Sequence, residues 1–229
     1  MYKRQRRLFG ENVSLLAAFL MAISPYNIWY SQELRMYTIG ATIGLLVLKS
    51  VLDIYENPQK LAPWIAYSIF AALGLYILYY FAFLLAAINM FVIANYKWRM
   101  MNEESPFIIR HSQFLRWFAA QVGALVLYSP WLGIAFRQAT NPPVPPWRSF
   151  TPLGEVITLS WTALSFGHSV EPEHVWPALL LTALLYGLGL FYKAPLPCGP
   201  LSPRKCITLL AVYTFVPLAL IYLFSYITP

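Results

Sequence analysis

The chain has 229 residues, of which 59% are hydrophobic and only 11% charged, and it carries a formal net charge of +7. A soluble domain has about 25% charged residues, so this composition excludes an ordinary soluble enzyme and points to one polytopic transmembrane domain over residues 1–229. In such a chain the excess positive charge is read from its positions along the sequence, and it does not call for a nucleic-acid partner.

The elements follow from the apolar runs. The basic MYKRQRRLFG followed by an apolar stretch resembles a signal peptide in outline, but that stretch leads into a further span and is expected to be retained. The predicted fold is all-α, a transmembrane helical bundle of about seven spans: Val13–Tyr30, Met36–Val51, Leu61–Leu78, Phe81–Tyr96, Phe114–Pro130, Trp176–Tyr192 and Ile207–Ile227. From Leu61 to Tyr96 the chain is apolar for 36 residues. As one helix that run would be about 54 Å long, against a hydrocarbon core of about 30 Å, so a fold-back is expected near Tyr79 and Tyr80.

Lysine and arginine collect in cytoplasmic loops, which tests the fold-back. With it, 13 of the 16 basic residues fall on the cytoplasmic side with the amino terminus, and only Arg35, Arg137 and Arg148 lie outside. Without it the two sides share the charge evenly. The expected location is therefore a membrane, read as the plasma membrane, with a cytoplasmic amino terminus.

In this topology residues 131–175 form an extracytoplasmic loop. Its NPPVPPW stretch is expected to be an extended connector, since proline cannot continue a helix. TPLGEVITLSWTALSFG is expected to form a helix over about residues 152–166 lying on the membrane surface, with Thr151 as cap and Pro152 in the first turn. HSVEPEH carries His168, Glu171, Glu173 and His174, yet Pro172 interrupts it and no ligand pair has helical spacing. A solvated loop is the reading, with no metal and no cofactor expected. Cys198 and Cys206 flank a Pro-rich segment with no histidine near, so they fit neither zinc spacing nor a disulfide framework and are expected to remain thiols.

Function is sought where polar groups gather. SPYNIWYSQELRMY places Gln32, Glu33 and Arg35 among Trp29, Tyr30 and Tyr37 at a turn between two spans. One reading is an interfacial turn within an aromatic belt. The other is a binding site for a lipid-linked sugar, in which the forked Arg35 guanidinium meets a phosphate and Glu33 accepts from hydroxyls. The run Tyr76, Tyr79, Tyr80, Phe81 and Phe83 at the fold-back is open to the same pair of readings, as a groove for an isoprenoid tail or as interfacial anchoring. Gly40 and Gly44 form a GxxxG that allows close helix packing inside the bundle. No Asp or Glu lies within the spans away from their ends, which argues against an ion-coupled transporter, and Asn89 and Gln121 are too few to line a polar passage.

A basic RRLFG, an apolar helix ending in SP, and YSQELRMY opening the next helix together resemble the polyprenyl-phosphate-sugar-dependent glycosyltransferases of the GT-C superfamily, in the branch of protein O-mannosyltransferases and aminoarabinose transferases. LGLYILYYFAFLL, YSPWLGIAFRQ and VPLALIYLFSYITP are similar to further helices of that family. The resemblance implies transfer of a sugar from a polyprenyl-phosphate carrier to a lipid, glycan or protein acceptor on the extracytoplasmic face. Gln32, Glu33, Arg35, Tyr37 and Tyr80 are then the candidate carrier-binding residues. The family's catalytic Asp lies in a first outer loop that no residue here matches. The chain is accordingly expected to be an internal portion of such an enzyme or a truncated relative, and the alternative is a non-catalytic membrane protein or subunit that binds lipid-linked sugar.

Overall fold

A computed structural model describes residues 11–32, 36–102, 107–140, 151–167, 169–191 and 203–225, and among these residues all regular structure is helical. Two compact units make up the chain, Met1–Arg35 with Ser149–Ile207 and Met36–Arg148 with Thr208–Pro229. Three helices are long and apolar enough to cross a membrane: Tyr37–Glu56, Ser112–Gln138 and Lys205–Phe224. The bent pair Glu11–Ile23 and Pro25–Gln32 makes a fourth if it is counted as one span.

In the first unit, helices α1 (Glu11–Ile23) and α2 (Pro25–Gln32) meet at an angle of 56°. The sequence reading expected one helix from Val13 to Tyr30, and the difference lies at Pro25. Proline has no N–H to give the carbonyl four residues back, and its ring crowds that carbonyl. Here that carbonyl belongs to Met21, and the Asn27 side-chain amide reaches it at the long limit of 3.5 Å. The new helix starts at once, with Ile28 N–H donating to the Ser24 carbonyl at 3.0 Å.

Helix α7 takes shape at the expected place, over Leu153–Phe166. Helices α3 (Tyr37–Glu56) to α6 (Phe107–Thr140) belong to the second unit. The expected cap at Thr151 is not made: Pro152 occupies the cap position, and its carbonyl accepts from Val156 N–H at 3.0 Å. Gly167 closes α7 with φ of 98°, a conformation that glycine adopts without strain, while its N–H donates to Ala163 at 3.0 Å. Helix α8 (Pro172–Phe191) packs on α7, where Trp161 Nε1 donates to Thr182 Oγ1 at 3.0 Å and the Trp161 ring meets Tyr186 edge-on. Leu180, Leu184, Leu185 and Leu188 of α8 are all exposed, as lipid-facing positions are.

The second unit is built from α3 (Tyr37–Glu56), α4 (Ala62–Ile77), α5 (Phe81–Asn102), α6 (Phe107–Thr140) and the part of α9 (Pro203–Ser225) from Thr208 onward. Its core holds Val47, Val51, Trp64, Tyr67, Ala71, Ile88, Trp117, Ala120 and Ala124. Small residues bring α4 and α6 together. Ser68 Oγ donates to the Ala120 carbonyl at 2.9 Å, and a β-carbon on Gly123 would stand 3.2 Å from that hydroxyl. Gly44 serves a similar purpose on α3, since a β-carbon there would lie 2.8 Å from Tyr213 Oη and 3.1 Å from Leu84. Gly40, the other half of the GxxxG, has nothing within 4 Å of that position.

The expected fold-back is present, with α4 and α5 separated at Leu78, Tyr79 and Tyr80. At 16 residues, α4 is about 24 Å long and falls short of the hydrocarbon thickness. Helix α6 was expected to stop at Pro130 and instead continues to Thr140. The carbonyl that Pro130 deprives of a donor is that of Val126, and Ser129 Oγ supplies one at 2.8 Å. Tyr76 Oη donates to the neighbouring Leu127 carbonyl at 3.0 Å. Residues 131–140, assigned to a loop by the sequence reading, are therefore helix. The NPPVPPW connector lies outside the described residues.

Candidate functional site

Of the five candidate binding residues, Glu33 and Arg35 lie outside the described residues. Gln32 is the exposed last residue of α2 in the first unit. Tyr37 opens α3 and Tyr80 stands in the turn before α5, both exposed and both in the second unit. Tyr80 stacks on Phe83 with ring centroids 6.2 Å apart, and among the described ring contacts it does not meet Tyr37. Beside Gln32, Tyr26 and Tyr30 pair at 4.6 Å on one face of α2, and Trp29 is half exposed.

The turn at Leu78–Tyr80 is the described end of the second unit where polar and aromatic groups converge. Its aromatic run divides. Phe81 turns inward, only 3% exposed, and packs in the core, so it lines no groove. Phe83 carries Tyr80 toward Phe224, at 5.8 Å. Tyr76 and Tyr79 reach instead for α6: Tyr76 meets Tyr128 at 5.2 Å and Trp131 at 6.0 Å, both edge-on. Tyr79 Oη accepts from Trp131 Nε1 at 3.3 Å and donates to Gln138 Oε1. Because α6 continues past Pro130, Trp131 and Gln138 are held on a helix beside the turn, which the sequence reading missed by ending the span at the proline.

This rim offers exposed aromatic faces, phenolic hydroxyls and one amide. Such groups bind the hydroxyls and ring faces of a sugar, or flank a prenyl chain.

A second polar constellation lies inside the unit. Gln121 Oε1 accepts from Tyr67 Oη at 3.2 Å and from Asn89 Nδ2 at 3.3 Å, while Asn89 Oδ1 accepts from Trp117 Nε1 at 2.9 Å. Gln121 Nε2 is buried with no described partner. The sequence reading counted Asn89 and Gln121 as too few for a passage. What it lacked was the register of α4, α5 and α6, which brings them together with Tyr67 and Trp117 into one network. The network ties α4, α5 and α6 together.

In HSVEPEH, His174 Nδ1 lies 3.5 Å from Glu171 Oε2, with both side chains strongly exposed, and His168 lies outside the described residues. No group of three His, Cys, Asp or Glu placed to hold a metal occurs among the described residues. Cys206 is buried, and Cys198 lies outside the described residues.

The class these features define is an all-helical protein with three or four candidate spans, consistent with an integral membrane protein. No family model, no curated protein and no solved structure matches the chain.

Proposed function

We propose that the chain is the membrane region of a GT-C-type glycosyltransferase, transferring a sugar from a polyprenyl-phosphate carrier to an acceptor on the extracytoplasmic face of the plasma membrane. The observation that carries the reading is SP followed by YSQELRMY. The 56° bend at Ser24–Pro25 and the exposed aromatic rim at Tyr79 and Tyr80 are in keeping with it. In this reading the chain makes seven spans with its amino terminus in the cytoplasm, α7 lies on the outer membrane surface, and Gln32, Glu33, Arg35, Tyr37 and Tyr80 face the carrier. Displacement at the anomeric carbon would need a carboxylate to take the acceptor proton and cationic groups to stabilise the departing phosphate.

A second reading, a non-catalytic subunit that binds lipid-linked sugar for a partner enzyme, is favoured by one feature. The described polar groups of the rim are hydroxyls and an amide, which bind but do not serve as a base.

The test is retention of a radiolabelled polyprenyl-phosphate hexose by the full chain in detergent, followed by transfer to acceptor in native membranes. Retention with transfer supports the first reading and retention without transfer the second. A folded protein that retains nothing removes both.

A further inference from the structure

At the opposite end of α4 from the aromatic rim, a cavity of about 80 Å³ opens between α3, α4, α5 and α6, walled by Ile54, Pro58, Trp64, Val92, Ile93 and Trp117. It is smaller than the roughly 150 Å³ apolar cavity that holds benzene, so it has room for only a few methylene groups. Cationic side chains lie near its Pro58 wall, with the exposed Glu56 two residues before that proline. The Pro58 carbonyl in the cavity wall accepts from Arg116 Nη1 at 2.8 Å, and from Trp64 Nε1 at 3.1 Å. Arg116 Nη1 also donates to Gln59 Oε1 at 3.1 Å, and these two bonds are the described engagements of the guanidinium. They hold the guanidinium beside Pro58 of the cavity wall through one nitrogen and leave Nε and Nη2 outside the described bonds. Lys60 is exposed in the same turn, and the nearby Lys49 is taken up by Asp53 at 2.5 Å.

We infer that this is a binding site for one anionic phospholipid, whose phosphate is held by Arg116 and one of whose acyl chains passes its first methylene groups into the cavity beside Trp64 and Trp117. Two features of the site select this occupant. The guanidinium matches phosphate with a planar fork, and basic pockets between membrane helices suit anionic head groups. The wall that adjoins it is mostly apolar, with Asn95 and Gln113 its amide members, and it has room for a short length of chain. A free phosphate would use the first feature alone, and a zwitterionic lipid would gain less from it. Trp117 also ties the cavity to the interior network through Asn89, so an occupied cavity braces α4, α5 and α6 together. This inference is independent of the sugar-transfer reading, because no residue of the aromatic rim or of the YSQELR turn takes part.

The experiment is native mass spectrometry of the full chain in detergent, titrated with phosphatidylglycerol or with phosphatidylcholine of the same chains. The wild type is expected to take up one phosphatidylglycerol about tenfold or more tightly than phosphatidylcholine. Arg116→Gln should abolish that preference and Arg116→Lys restore part of it. Val92→Phe, which fills the cavity, should weaken both lipids while keeping their order, and Ile93→Phe at the half-exposed wall replaces it if the first variant does not fold. Glycerol phosphate, the head group without chains, should not compete. Wild-type affinity in folded Arg116→Gln or in the cavity-filled variant, or full competition by glycerol phosphate, overturns the assignment.

Discussion

Gly74 lies against the ring of Phe81 so closely that a β-carbon at position 74 would overlap the ring. The contact closes the α4–α5 hairpin: Leu78 is extended, with φ −149° and ψ 118°, and its N–H still donates to the Gly74 carbonyl at 3.0 Å. Phe81 then turns back under the hairpin, only 3% exposed.

The first prediction follows from that overlap. Gly74→Ala is expected to destabilise the protein by about 1–3 kcal/mol, the usual cost of overpacking. In a Phe81→Ala background the same change should cost little, because the ring it strikes is gone. Thermal unfolding of the four proteins in detergent measures the coupling. Additive losses would show that the ring and residue 74 do not oppose each other.

The second prediction concerns Gln121, whose carbonyl oxygen serves two donors. Gln121→Leu leaves Tyr67 Oη and Asn89 Nδ2 without that acceptor. Such bonds inside membrane proteins couple by about 0.6 kcal/mol on average and about 1.7 at most. A cycle with Tyr67→Phe should give a coupling in that range. A coupling of zero would mean that the hydroxyl finds another partner as soon as Gln121 is removed.

Part of this architecture was legible in the sequence, and the missed parts have a common cause. The fold-back at Tyr79 was readable because a 36-residue apolar run exceeds the bilayer whatever its neighbours do. The helix at 153–166 was readable from its apolar pattern and flanking turn signals, though Thr151 does not cap it. The two prolines were misread in opposite directions. Pro25 was expected to continue a helix and bends it by 56°, while Pro130 was expected to end one and sits inside it. Which outcome follows depends on who satisfies the carbonyl four residues back. At Met21 the only described help is a 3.5 Å reach from Asn27, whereas Ser129 serves Val126 at 2.8 Å. Tyr76, which supports the next carbonyl from another helix, could not be paired with Leu127 from periodicity. Tertiary register also hid the meeting of Asn89 with Gln121. Of the candidate site, the exposure of Gln32, Tyr37 and Tyr80 was legible, because polar and aromatic residues at helix ends lie at the surface.

The third prediction is topological and rests on the seven-span proposal, under which 13 of the 16 basic residues fall on one side. In a background lacking Cys198 and Cys206, Asn57→Cys and Ser169→Cys both place a thiol at an exposed turn. An impermeant thiol reagent applied to intact cells should label position 169 and spare position 57 until the membrane is opened. The reverse pattern would invert the orientation, and equal labelling would change the number of spans between the two positions.

The last prediction takes up Arg35, the cation of the YSQELR turn. If that turn faces a lipid-linked sugar, the guanidinium holds the carrier phosphate through charge-assisted hydrogen bonds worth about 1.5–3 kcal/mol each, a ten- to hundredfold effect on affinity in a desolvated site. Arg35→Ala should lose that factor in binding of a polyprenyl-phosphate hexose, and Arg35→Lys should regain only part of it, because an ammonium lacks the planar fork. Carrier without sugar should show the same ranking, since the phosphate is common to both. Glu33→Gln should weaken the sugar-bearing carrier more than the bare one if the carboxylate accepts from sugar hydroxyls, and both equally if it only orients Arg35. An ordinary interfacial turn predicts a different result: the aromatic side chains Trp29, Tyr30 and Tyr37 would hold the boundary by themselves, and all three variants would bind as the wild type does. Equal affinities in folded protein would therefore remove the turn from the carrier site while leaving the helical fold untouched.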